Sequence, residues 1–325
     1  MKTLIKISLL LLSTLLSAAL LSGCGRHEYK ERSGFFFDTY ITVRAYETDD
    51  ETLDGALALC RKYDDLFSRT SETGDVWRIN HSSGQAVEVA DETAELLRLS
   101  LYYAELSGGK FDITCGSVTS LWDFSAEQPS VPQADELAEA LKYVGADRLS
   151  IDGNTVMAEQ ETQVDLGGIA KGYIADRLAD YLRSRNVENA VINLGGNVIV
   201  LGDKYGEQYN VGVQSPFDDS YIGSLRVSDC SVVTAGTYQR GFESDGTYYH
   251  HILDLSTGMP ADTGLEAVTV VTESSADGDA LATLLFLLGE DEGMRLAQSL
   301  NGTEALFVSS NGTVTTTDGL TLICG

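Results

Sequence analysis

Helix-period and strand-period segments alternate along this chain, which predicts an α+β fold: a mixed or antiparallel sheet with helices packed on it. Two further observations agree. Short strand-like runs are joined by tight turn signals, Asp152-Gly153-Asn154 being the strongest, as antiparallel hairpins require. The 325 residues contain no internal repeat, low-complexity run or long linker, so they suit one large domain or two intimately packed lobes.

The N-terminus comes first. Lys2 and Lys6 precede an apolar run through Leu21, and Leu21-Ser22-Gly23-Cys24 follows. A basic start, an apolar stretch and small residues before a cleavage point make an export signal rather than a membrane span. Leu-Ser-Gly-Cys resembles a bacterial lipobox, which implies cleavage before Cys24 and a lipid on its thiol. The alternative is an ordinary signal peptide with a chance cysteine. The expected organisation is a lipoprotein signal peptide over 1–23, a polar lipidated tether over 24–34 and a folded domain over 35–325. Lipid anchoring would hold that domain at the extracytoplasmic face of the cell membrane.

The remaining elements follow in order. Phe35–Glu47 alternates as a strand, and Thr52–Phe67 is a helix with Leu53, Ala56, Leu57 and Cys60 at helical spacing. Ser68–Asn80 reads as a loop. Thr93–Ser107 is a second amphipathic helix, closed by Gly108-Gly109. Ala134–Val144 is a third helix, and Arg148–Ile151 and Thr155–Ala158 flank the hairpin turn. A short strand ending in Asp165 leads into a helix that repeats Ile174, Leu178 and Leu182. Strands are expected over Ala190–Leu201, Gln208–Gln214, Gly223–Val227, Ser231–Ala235, Tyr248–Asp254 and Ala267–Thr272. Asp279–Leu288 is a strongly apolar helix, and one more helix and a strand pair close the chain.

Composition bounds the partners. The net charge is −27, and removing the signal, whose charged residues are Lys2 and Lys6, makes it −29. That argues against nucleic acid and against adhesion to anionic lipid, and an anionic ligand would need local cations or a metal. Cys60, Cys115, Cys230 and Cys324 match no zinc or CxxC spacing. Export permits disulfides, and buried thiols are the equal alternative.

Five segments could carry chemistry. Val164-Asp165-Leu166-Gly167-Gly168-Ile169-Ala170-Lys171-Gly172 puts glycines where a helix opens, with a carboxylate and an ammonium six residues apart. Such a junction lets backbone approach a ligand and offers N–H groups to phosphate, although glycines there more often serve packing. Gly109-Lys110-Phe111-Asp112 follows a helix end and could be a plain C-cap. Asn193-Leu194-Gly195-Gly196-Asn197 interrupts a strand, marking a bulge or a close backbone approach. His250-His251-Ile252-Leu253-Asp254 holds two of the four histidines. On a helix, Asp279 and Thr283 are i and i+4, so their oxygens share one face. That pair suits Mg²⁺, which keeps waters and shares substrate phosphates, while Asp277 or Asp279 could merely cap the helix.

In this order the segments resemble the FAD:protein FMN transferases, the ApbE family, from Phe37-Asp38-Thr39 through Asp279-Ala280-Leu281-Ala282-Thr283. The resemblance implies a two-lobed domain that binds FAD in a cleft and holds Mg²⁺ on its pyrophosphate. It also implies transfer of FMN to a threonine or serine of an exported flavin-acceptor protein, releasing AMP. By that likeness Phe37, Lys110, Phe111, Asp112, Asp165, Lys171 and Leu253 would line the FAD site. Gly168 (through its carbonyl), Asp279 and Thr283 would hold the metal. His251 would assist deprotonation of the incoming hydroxyl, and Lys171 would add fixed charge. Phe37 stands where the family often has methionine, and Leu255 where proline is usual, changes of shape more than of chemistry. Two other functions share the same residues: an Mg²⁺-dependent FAD pyrophosphatase giving FMN and AMP, and a non-catalytic extracytoplasmic flavin-binding lipoprotein.

Overall fold

The computed structural model describes residues 27–124 and 126–324; the expected signal segment and Cys24 lie outside them. An eight-stranded sheet forms the centre. Strands β1 (Tyr29–Phe36) and β2 (Thr39–Tyr46) form its first hairpin. This corrects the single strand expected over Phe35–Glu47: the chain reverses at Phe37 and Asp38, both left-handed at φ 54° and 55°. The alternation read through the turn because it continues in β2, where Ile41, Val43 and Ala45 are buried. It also corrects the tether, since Tyr29–Gly34 are part of β1. Arg32 pairs with Asp50 and Asp54, and Lys30 with Asp50, so those polar side chains bind the strand to the first helix.

Helix α1 (Asp50–Leu66) opens on Asp49, whose side chain accepts from Thr52 N at 2.8 Å. Helix α2 (Asp75–Asn80) lies in the segment expected to be loop. It has six residues, less than two turns, too short for a period to register. Strand β3 (Val87–Glu88) and helix α3 (Asp91–Leu106) follow, then α4 (Gly116–Thr119) and α5 (Ala134–Ala140). Strands β4 (Leu149–Asp152) and β5 (Thr155–Ala158) make the predicted hairpin, and β5 also pairs with β3. The short strand expected to end at Asp165 is not formed; a single parallel bridge joins Gln163 to Cys115.

Helix α6 (Ala170–Ser184) leads to β6 (Ala190–Leu194) and β7 (Asn197–Leu201). Gly195 and Gly196 are therefore a hairpin turn at φ 59° and 104°, and the expected strand over 190–201 is two. A Cβ on Gly195 would meet Thr39 Oγ1 at 2.2 Å, so this turn and the first hairpin touch only because the residue is glycine. Strands β8 (Tyr209–Gln214) and β9 (Tyr221–Val227) form a separate ribbon, and β10 (Cys230–Gly236) returns to the sheet. The hairpin β11 (Gly241–Ser244) and β12 (Thr247–His250) precedes β13 (Leu253–Asp254) and β14 (Met259–Pro260). The strand expected over Tyr248–Asp254 is thus broken at His251. Strand β15 (Leu265–Thr272), helix α7 (Ser275–Leu288), helix α8 (Glu290–Ser299), β16 (Glu304–Ser309) and β17 (Val314–Thr316) finish the chain.

The sheet order is β1-β2-β6-β7-β10-β15-β16-β17, with every pair antiparallel. Its two faces divide by strand alternation. Ile192, Ile199, Val233, Val268 and Phe307 face α1, α6 and α7, while Val200, Val232 and Leu306 face the β8–β9 ribbon. Helix α7 lies at the centre, with Leu284, Leu285 and Phe286 wholly buried, each contributing roughly 1.5–3 kcal/mol. A third apolar group gathers Val118, Trp122, Leu137, Phe242 and Leu253 beside α4 and α5. The four described cysteines are free thiols. Among the described residues no helix is long and apolar enough to cross a membrane.

Candidate functional site

The site forms where the N-termini of α6 and α7 lie side by side. Gly172 makes that approach possible, because a Cβ there would sit 2.1 Å from Ser275 O and 2.7 Å from Asp279 Cβ. Asp279 Oδ2 accepts the Gly172 N–H at 3.0 Å, and its Oδ1 lies 3.6 Å from Lys171 Nζ. Lys171 Nζ also donates to Gly167 O at 3.0 Å. A helix begun one residue earlier would close Gly172 N–H on the Gly168 carbonyl. Here Asp279 takes that donor, and the Gly168 carbonyl stays outside the helix ladder. A Cβ at Gly168 would lie 3.1 Å from Phe111 Cε2 and 3.8 Å from Thr283 Oγ1. Phe111, Gly168, Lys171, Asp279 and Thr283, spread over more than 170 residues of sequence, therefore meet at one point.

Asp279 does not cap its own helix. Ser274 does, its side chain accepting from Asp277 N at 3.2 Å. Asp277 instead accepts from Tyr103 Oη at 2.8 Å, tying α3 to α7 and, with burial, pushing the phenol's pKa up. Asp165 organises the junction. Its Oδ1 accepts Gly167 N at 2.9 Å, and its Oδ2 accepts Arg69 Nη1 and Thr119 Oγ1, both at 2.6 Å. Arg69 also reaches Gly116 O and Ser120 Oγ. Asn80 clamps the preceding residue in both directions, donating to Val164 O at 2.9 Å and accepting from Val164 N at 2.6 Å.

The other predicted residues stand around this centre. Phe37 is at the first hairpin tip, its N–H donating to Asp64 Oδ1 at 2.9 Å. Arg240 Nη2 reaches Asp38 O at 3.5 Å, and Arg240 O accepts from His251 N at 3.2 Å, so the hairpin and the histidine share one arginine. His251 Nδ1 is 3.3 Å from the same carbonyl. A carbonyl only accepts, so that nitrogen carries the hydrogen and Nε2 keeps its lone pair. Burial, with Lys171 and Arg240 adding repulsion, holds the His251 pKa down to about 4. Asp112 is buried and turned onto Thr114, accepting from its N at 2.8 Å and its Oγ1 at 2.7 Å. Burial raises its pKa. Lys110 is exposed, and Leu253 belongs to the apolar group beside α4. These three do not join the Lys171–Asp279 centre.

Sequence reading passed over Arg69, Asn80, Thr119, Asp176 and Arg240. Only the fold brings them in: Arg69 and Asp165 are 96 residues apart, and Asn80 and Val164 are 84. An acid just before a glycine pair was the one available signal for a distant arginine.

The donor set fits a hard divalent cation. A carboxylate, a hydroxyl and a carbonyl are all oxygen ligands, and the Lys171 ammonium already marks Asp279 Oδ1 as a place for positive charge. Among the described residues no cluster of three or more His, Cys, Asp or Glu could hold a metal. One carboxylate leaves coordination positions for water and substrate oxygens, as Mg²⁺ prefers. Two other clefts, of about 640 and 620 Å³, are lined by Asp135, Glu136, Glu139 and Glu161, and by Glu188, Asp203 and Asp229. Those carboxylates have the wrong sign for a diphosphate.

Comparison with known proteins identifies the family and the fold. The ApbE family model matches residues 37–307. The chain is 36% identical over 277 residues to a FAD:protein FMN transferase of Klebsiella pneumoniae, covering 83% of this chain and 86% of that one. It is 33% identical over 323 residues to one of Treponema pallidum, covering 91% and 89%. The crystal structure of the ApbE protein from Thermotoga maritima superposes with a TM-score of 0.82 at 34% identity, covering 90% of this chain and 98% of that one. The flavin transferase ApbE from Vibrio cholerae gives 0.81 at 27%, again covering 90% and 98%.

Proposed function

The chain belongs to the ApbE family, and from that membership we propose that it is an Mg²⁺-dependent FAD:protein FMN transferase. It moves FMN from FAD to a threonine or serine hydroxyl of an exported partner protein and releases AMP. The observation that carries this reading is the meeting of Gly168, Lys171, Asp279 and Thr283 at the α6–α7 junction.

In the reaction the acceptor oxygen attacks the FMN phosphorus. A new phosphoester bond forms, the pyrophosphate P–O bond breaks, and its electron pair leaves on the AMP phosphate. Mg²⁺, held by the Gly168 carbonyl, Asp279 and Thr283, would supply charge neutralisation on the phosphate oxygens. Lys171 adds fixed positive charge beside the same oxygens, which lets a chain of net charge −27 bind a diphosphate. His251 Nε2, unprotonated at neutral pH, accepts the hydroxyl proton. Asp165, braced by Arg69 and Thr119, fixes the glycine turn. Phe37, half-buried at the hairpin tip, and Phe111, packed beside Gly168, are the proposed aromatic contacts, and Lys110, Asp112 and Leu253 complete the proposed FAD contacts.

The test is incubation with FAD, Mg²⁺ and an exported flavin-acceptor protein, followed by intact-mass measurement. Addition of one FMN to the acceptor, with one AMP released, is expected. AMP and FMN released equally with and without acceptor would assign a pyrophosphatase instead. Bound FAD with no AMP would assign a flavin-binding lipoprotein. We further propose that lipid on Cys24 anchors the mature protein outside the cytoplasmic membrane. Cys24→Ala should release it from the membrane fraction or block its processing, and unchanged retention and mass would count against the lipid.

A further inference from the structure

We propose that Asp176 is a positioning residue that sets the metal-binding helix, acting through Asp279 and Thr283 without touching the substrate. The two helices exchange carboxylates. From α7, Asp279 accepts the Gly172 N–H of α6 at 3.0 Å. From α6, Asp176 accepts Ser275 N at 2.8 Å, Ala276 N at 2.9 Å and Ser274 Oγ at 3.0 Å, all at the start of α7. The exchange is reciprocal in sequence as well: Gly172 and Asp176 are i and i+4 on one helix, Ser275 and Asp279 are i and i+4 on the other. Each helix thus presents an N–H and, one turn later on the same face, a carboxylate.

This arrangement has a consequence for the ligands. The first N–H groups of α7 have no partner within their helix, and Asp176 takes two of them. Their bonds fix the axial position and rotation of α7 against α6. Thr283 is one turn beyond Asp279, so the same rotation sets both proposed metal ligands against Gly168 and Lys171. Without Asp176 the first turn of α7 would keep the Ser274 cap and the Tyr103–Asp277 bond, but against α6 only the Gly172–Asp279 bond would remain, and the Lys171–Asp279 spacing would no longer be defined from both sides. Groups that orient metal ligands from behind typically contribute ten- to a hundredfold in metal affinity.

The inference rests on the proposed ligand roles of Asp279 and Thr283, so the experiment separates the two. Mn²⁺ affinity is measured without FAD, by electron paramagnetic resonance of free Mn²⁺, for wild type, Asp176→Asn, Asp279→Asn and the core variant Leu306→Ala. Asp176→Asn should weaken Mn²⁺ about tenfold, and raise the Mg²⁺ concentration needed for half-maximal activity while leaving the rate at saturating Mg²⁺ close to wild type. Leu306→Ala, destabilising but on the opposite sheet face, should leave Mn²⁺ affinity unchanged. Loss of binding in Asp279→Asn with wild-type affinity in Asp176→Asn would overturn the positioning role alone. Wild-type affinity in both would overturn the ligand assignment and this inference with it. Should Asp176→Asn not accumulate as folded protein, Asp176→Glu keeps the charge but displaces the carboxylate from Ser275 N and Ala276 N, and should weaken Mn²⁺ severalfold; no change would again overturn the role.

Discussion

The α6–α7 junction and the tip of the β1–β2 hairpin both border the site, yet they are built in opposite ways. At the junction, Asp279, Asp176, Asp165 and Lys171 each make two or more polar contacts, and glycines sit where backbones must touch. At the hairpin, two non-glycine residues hold left-handed backbone, and the turn is tied by a short hydrogen bond to Asp64 of α1 and a long one from Arg240. Left-handed backbone costs an ordinary residue about 1–2 kcal/mol. The junction is over-determined and should tolerate little change. The hairpin carries strain against two side-chain hydrogen bonds, only one of them short, so it has room to change. Geometry that sets charge is held redundantly, while geometry that offers an aromatic surface is not.

The sharpest challenge to that contrast is Asp279→Asn. The amide keeps an acceptor for Gly172 N–H but removes the charge, so FMN transfer should fall at least about a hundredfold, the scale of losing one preorganised electrostatic group. Stability without Mg²⁺ should change by less than about 1 kcal/mol, because Asn and Asp accept from helix N-termini about equally well. Near-wild-type turnover at limiting Mg²⁺ would remove the junction's claim to the chemistry.

Next is Gly172→Ala, which tests packing rather than charge. In a helix interior alanine gains about 1 kcal/mol over glycine, but here its Cβ would lie 2.1 Å from Ser275 O. The helices must separate, and the net loss should be about 1–3 kcal/mol, read as a melting temperature lower by several degrees. An unchanged melting temperature would show that the junction is looser than its contacts indicate.

His251 stands between the two regions, bonded to Arg240 and repelled by Lys171. Its folded pKa of about 4 lies below the ordinary value of 6.5. Between those values the unfolded chain binds the extra proton, so stability is full above about pH 6.5 and falls as pH drops toward 4. His251→Asn should lose that part of the acid sensitivity. Burial is the larger cause, so Lys171→Met should raise the His251 pKa in an NMR titration without restoring the ordinary value. Full restoration would make the junction's charge, not burial, the dominant influence.

The smallest effect belongs to the hairpin. Asp38→Gly relieves left-handed strain but adds freedom to the unfolded chain, and Asp tolerates this conformation better than most residues. The expected outcome is a change within about 1 kcal/mol, toward stability, with transfer activity retained. A clear destabilisation in thermal melts would show that the Asp38 side chain anchors the turn and would narrow the contrast.

The amino-acid order by itself determined the long elements and the fold class. Periodicity in Thr52–Phe67, Thr93–Ser107 and the apolar run after Asp279 specified helices, because each buries a face or a whole surface that depends only on local spacing. Gly167-Gly168, Lys171 and the Asp279–Thr283 pair were legible as candidates for the same reason: each is a local pattern with a local physical meaning. Where the chain reverses was harder to read. Phe37-Asp38 carries no glycine, asparagine or proline and its strain is offset by Asp64, 26 or more residues away, so β1 and β2 looked like one strand. Asn193–Asn197 carried the right glycines, but only the pairing of β6 with β7 makes them a hairpin instead of a bulge, and pairing with β2 and β10 holds that hairpin inside the sheet. Tertiary structure alone decided what each polar group does. Asp279 reads equally well as a cap or a ligand until Ser274 is seen capping α7 and Gly172 is seen donating across from α6. Asp165, Arg69, Asn80 and Asp176 acquire their roles from partners 84 to 100 residues away. Hydrogen bonds and charge pairs act over a few ångströms in space, and spacing along a chain encodes such distances only within one helix turn or across one strand pair.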